Sequence, residues 1–235
     1  MNDVPLLIAE SVARLIDFSS LASLRDSRSS LFGNAGRSLW EKRHQVTLNV
    51  VYNPAAGTFD YCLTCRNDGS TGLATAYTYD PADYCFFSVF EVILLKDKRS
   101  LKGNVDGDVT WTTATPSDPT FLTLLRTTFP RTELRLEVKC PELLKMLPDY
   151  YTFNYITAYD AFAYNEIFDA IIQRSQACGR LESVHCKQFF KKRGMEESID
   201  WIATNKRLRL ICDISDFDIK NPASVRSALN RLGIQ

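Results

Sequence analysis

The chain is short of most of what charge-driven or catalytic proteins display. Its 235 residues carry 28 Lys+Arg against 28 Asp+Glu, so neither sign is in excess. No segment is a charged tail. A broad electrostatic grip on nucleic acid or an acidic membrane surface needs such an excess, so neither partner is expected. Long apolar runs are missing too. The longest, Cys85 to Leu95, is interrupted by Ser88 and Glu91, far short of the roughly 20 residues of a membrane span. Leu6–Ala9 is too short for the core of a secretion signal, and no basic residue precedes it. Only two histidines occur. Gly-x-Ser-x-Gly, the phosphate-binding loop and the dinucleotide glycine fingerprint are absent. Seven cysteines are an odd number without an even framework, so reduced thiols in a cytoplasmic or nuclear protein are expected.

What remains are weak chemical candidates. Cys62-x-x-Cys65 lacks the second pair that a zinc site of about four ligands needs. On a strand its two thiols point to opposite faces, so buried thiols are the simpler expectation than a metal or redox role. His44 lies at a helix–strand junction, and His185 adjoins Cys186 on a strand where neighbours face opposite ways. Asp106-Gly107-Asp108 reads as a turn, and Lys191-Lys192-Arg193 as a solvated helix end. Together these predict no enzyme, no metal and no cofactor.

What is present is a change of periodicity. The first 44 residues read as three helices. Ile8, Val12, Leu15 and Ile16 share one helical face, Leu21, Leu24, Leu31 and Phe32 line a second helix, and Gly33, Asn34 and Gly36 mark the break before a third. From Val46 the residues alternate as strands. Val46–Val51, Phe59–Cys65, Leu73–Tyr79, Phe86–Leu95 and Val109–Thr113 predict an antiparallel β meander. After Pro116 helices and strands alternate. Helices are expected at 119–129, 141–147, 165–178, 196–205 and 223–232, and strands at 134–138, 151–155, 181–186 and 208–214. Such spacing is that of helix–strand units with a parallel sheet, of which a leucine-rich-repeat-like stack is one version. The fold class expected is α+β, with residues 1–44 as a helical unit and 46–235 as an α/β binding domain.

Tyr150, Tyr151, Phe153, Tyr155, Tyr159, Phe162 and Tyr164 form an aromatic cluster. Tyr151, Phe153 and Tyr155 would share one strand face. They can serve as core beneath a parallel sheet or as an interface for a protein substrate.

The helical start resembles an F-box. Val4-Pro5 is followed by six residues, then Val12 and Ile16 four apart, then Asp17 directly, then Leu21 and Leu24. Ser27 and Arg28 depart from the Val-Ser usual in that family, and Leu31-Phe32 replaces its aromatic-basic ending. The resemblance covers about 40 residues, and the layout is similar to the divergent F-box-type proteins of nematodes. It implies docking on a Skp-type adaptor, and through it on a cullin–RING ubiquitin ligase, with the C-terminal part recruiting a protein substrate. Pro5, Ile8, Val12, Leu15, Ile16, Leu21 and Leu24 would then supply the adaptor-docking surface. The alternative is a non-enzymatic interaction or scaffold module in which the same residues are the internal core of a structural cap.

Overall fold

The computed structural model describes residues 23, 25–26, 32–37, 44–67, 72–78, 87–127, 129, 131–138, 140–159, 165–186, 209–211 and 230. Strand β1 (His44–Asn53) buries Val46, Leu48 and Val50 on one side, as its alternation dictates. It turns at Asn53–Gly57, where Gly57 adopts a left-handed φ of 64° and the Asn53 side chain accepts from the Ala56 N–H at 3.4 Å. Strand β2 (Thr58–Asn67) returns antiparallel. The far edge of β2 is shared by β3 (Ala74–Tyr77) and β6 (Thr112–Ala114), both antiparallel to it.

Strand β4 (Phe87–Leu94) does not extend this meander. It lies on the other side of β1 and runs parallel to it, with Leu48 opposite Val92. Strands β7 (Thr132–Leu136), β8 (Tyr155–Ala158), β9 (Ser183–Cys186) and β10 (Arg209–Ile211) follow, each parallel to its predecessor. Among the described residues these make one mixed sheet of ten strands, in which β1, β4, β7, β8, β9 and β10 stand side by side in chain order. The expected antiparallel meander over 46–113 is therefore corrected: alternation gives a strand but not its direction, and the 33 residues between β1 and β4, which include β2 and β3, are long enough for the crossover that parallel pairing needs. Strand β5 (Val105–Asp106) likewise pairs parallel with β3.

Helices α1 (Pro119–Arg126), α2 (Pro141–Met146) and α3 (Asn165–Ala177) occupy the crossovers. Asp118 caps α1 by accepting the Phe121 N–H at 2.9 Å, and Pro119 fills its first turn. Phe121, Leu124 and Leu125 of α1, Leu143 and Leu144 of α2, and Phe168, Ile171 and Ile172 of α3 join one core with Leu48, Val92, Leu134, Ile156 and Val184. Those five strand residues form a single lateral row of the sheet. The three helices therefore cover one face. On the opposite face, Cys62, Leu95 and Leu101 make a second cluster with Val51, Ile93 and Trp111. There the 95–111 segment folds over the β1–β2–β4 end, and Lys98 pairs with Asp60 at 3.0 Å.

The strand expected at 151–155 begins only at Tyr155. Residues 151–153 approach it as irregular backbone, because the Phe153 N–H is taken by the buried Ser175 hydroxyl of α3 at 3.1 Å instead of by a neighbouring strand. Residues 32–37 are helical straight through Gly33, Asn34 and Gly36, where a break was expected. Gly33, Ala35 and Gly36 are buried there, and small side chains at a packed position offset the modest helix cost of glycine. The helix expected at 196–205 lies outside the described residues, as does that at 223–232 apart from the helical residue 230.

Candidate binding face

Period-2 alternation sends every second strand residue away from the helices. Glu91 of β4, Glu133 of β7 and Tyr155 of β8 follow Thr47 of β1 in one lateral row, and Ser183 of β9 continues it. The next row runs Asn49, Ile93, Arg135, Thr157 and His185. Over β7 and β8 the face is open: the Arg131 and Arg135 side chains are 41% and 40% exposed.

The polar groups of this face are tied to one another. Arg131 Nε pairs with Glu133 Oε1 at 3.2 Å, and its guanidinium lies over the Tyr155 ring at 4.5 Å. The Tyr155 hydroxyl donates to Glu182 Oε2, and Asn154 Nδ2 donates to Glu182 Oε1 at 3.4 Å. Arg135 Nη2 pairs with Glu137 Oε1 at 2.9 Å, with its guanidinium 5.7 Å from the Tyr159 ring. Thr47 Oγ1 donates to Glu91 Oε2 at 3.3 Å.

Burial and the facing Glu133 carboxylate push Glu91 up to about 7, against the pull of Arg135, Thr47 and Arg66. Burial also raises Glu133, opposed by Arg131. Tyr155 is raised chiefly because its proton is held by Glu182.

The weak chemical candidates of the sequence are dispersed. Cys62 joins the cluster under the 95–111 segment, while Cys65 pairs with Val46 in register, on the helix side. Burial pushes the Cys62 and Cys140 thiols up to about 12, which leaves little thiolate at neutral pH. Gly107 has a φ of 79°, as the Asp106-Gly107-Asp108 turn requires. Among the described residues no group of three His, Cys, Asp or Glu is placed to hold a metal ion, and no helix is long and apolar enough to cross a membrane.

Of the aromatic trio assigned to a substrate face, only Tyr155 lies on the open side. Tyr151 and Phe153 are 1% and 0% exposed and belong to the main core. That corrects the shared face: the two precede the strand, so strand parity does not govern them. Pro5, Ile8, Val12, Leu15, Ile16, Leu21 and Leu24 lie outside the described residues. The charged members of the open face were not singled out from the sequence. The available signal was Glu91, the one acidic residue within an apolar strand, and the Leu134-Arg135-Leu136-Glu137 alternation. Protein-family models, curated proteins and solved structures were all searched, and none matches the chain.

Proposed function

We propose that this chain is a non-enzymatic substrate-recruiting receptor of a cullin–RING (SCF-type) ubiquitin ligase. The N-terminal segment docks on a Skp-type adaptor through Pro5, Ile8, Val12, Leu15, Ile16, Leu21 and Leu24, and the parallel strands present a protein substrate. Adaptor docking rests on the F-box-like spacing of residues 4–24. Substrate holding rests on one observation: an open sheet face that presents tyrosines and arginines, residue types enriched at protein interfaces. The side-by-side order of the parallel strands fits a leucine-rich-repeat-like stack. The receptor works by tethering, raising the local concentration of substrate near the ligase. A pull-down of the full chain with a purified Skp-type adaptor tests the docking half. Capture that is lost on Val12→Asp and on Leu21→Asp supports it; no capture, or capture indifferent to both, removes it.

A second reading takes the helical start as a cap on the sheet domain of a scaffold module. The complete burial of Ala35 within the helical 32–37 stretch is what a cap requires, and equally what the internal packing of a separate helical unit requires. In that case the adaptor is not bound, and loss of residues 1–43 unfolds the remainder.

A further inference from the structure

Glu91 and Glu133 stand directly opposite each other on adjacent parallel strands, both on the face away from the helices. Like charges in that position repel. The neighbourhood compensates them unevenly. Arg131 is bonded to Glu133, and Arg135 is bonded to Glu137. From β1 the partly buried Glu91 receives one hydrogen bond, from the neutral Thr47 hydroxyl. Arg66 of β2 acts on Glu91 through space while exposed to solvent. Beyond Glu133, the Glu182 carboxylate adds a third negative charge, held by Tyr155 and Asn154. Two carboxylates so placed are most stable when one of them keeps a proton.

We infer that Glu91 and Glu133 form a proton-holding carboxyl pair that makes the open face pH-responsive. At mildly acidic pH the pair holds one proton, centred on Glu91. As pH rises through neutrality that proton passes to solvent, and the face gains one negative charge at the β4–β7 seam. The elevated titration range of Glu91 agrees with this placement. Because the two groups are coupled, the pair titrates as a unit. The property belongs to the free chain, so it stands or falls independently of adaptor or substrate binding.

The experiment is a ¹³C NMR titration of the glutamate side-chain carboxyls in the full chain, with the Glu91 resonance assigned by Glu91→Gln. The expected result is a Glu91 midpoint at least a full pH unit above the ordinary carboxylate range, missing in Glu91→Gln. In Glu133→Gln that midpoint moves down toward the ordinary carboxylate range. In Arg135→Gln, which removes an opposing cation, it moves up. Two variants of opposite sign keep the test open should one fail to fold, as judged by circular dichroism. A wild-type titration in which every glutamate has an ordinary midpoint overturns the inference. So does a Glu91 midpoint indifferent to both variants.

Discussion

Asn154 grips Thr132 twice: its backbone N–H donates to the Thr132 carbonyl at 2.8 Å, and its side-chain Oδ1 accepts the Thr132 N–H at 3.1 Å. Its Nδ2 reaches the other way and donates to the Arg180 carbonyl at 3.1 Å, just ahead of β9. One side chain thus aligns the starts of β7, β8 and β9, which hold the open face.

Removing that side chain should cost stability, because the N–H of the buried Thr132 loses its partner. An orphaned buried donor costs about 1–3 kcal/mol. Asn154→Ala is expected to lower the urea midpoint accordingly. An unchanged midpoint in Asn154→Ala would mean that the strand ladder alone sets the alignment.

Tyr151 offers the converse case. Its hydroxyl is buried, with no hydrogen-bond partner among the described residues, and burial raises it further above the ordinary tyrosine range. A buried unpaired hydroxyl is a cost, so Tyr151→Phe should be neutral or stabilising by up to about 1 kcal/mol. Tyr151→Ala instead empties a core position beside Phe153, whose ring lies 5.2 Å away, and should cost about 3–5 kcal/mol. Thermal melting of the two variants checks both signs. Strong destabilisation by Tyr151→Phe would point to a partner for that hydroxyl.

Much of this architecture was legible in the sequence. The Leu134-Arg135-Leu136 alternation places its leucines inward and its arginine outward, as the burial pattern of β7 shows. Pro119 and Pro141 both mark true helix starts. Strand direction was not legible: Phe86–Leu95 carries the same composition whether it pairs parallel or antiparallel, and only the crossover places β4 beside β1. Alternation also misled at Tyr151 and Phe153, where a side-chain hydroxyl from α3 satisfies the backbone that a strand neighbour was expected to serve. The Glu91–Glu133 pairing depends on a register set 42 residues away along the chain, which no local pattern carries.

The raised Glu91 carboxyl has a consequence for stability. Its folded value of about 7 lies above the ordinary 4.5, so the folded state binds the proton more tightly than the unfolded chain does. Stability from this group is present at low pH and is lost as pH rises from about 4.5 to about 7, by up to about 3 kcal/mol. Glu91→Gln cannot lose that proton. The stability of Glu91→Gln relative to wild type should therefore grow between pH 5 and pH 8 and level off above it. Urea unfolding at a series of pH values measures the difference, and a difference independent of pH would show that Glu91 titrates alike in both states.

The sheet itself bears on the role of the N-terminal segment. Strand β1 starts at His44 and lies inside the sheet, between β4 and β2. Its inward residues Val46, Leu48 and Val50 belong to the same core as the helices of the crossovers. Among the described residues, every strand of the sheet comes from residue 44 onward. A chain beginning at residue 44 is expected to unfold cooperatively and to keep the strand signature in circular dichroism, while losing capture by a Skp-type adaptor. Full-length protein carrying Val12→Asp should show the same loss of capture with its melting temperature within a few degrees of wild type. A truncated chain that fails to fold, together with a Val12→Asp protein that melts far lower, would instead place the N-terminal helices in the core as a cap.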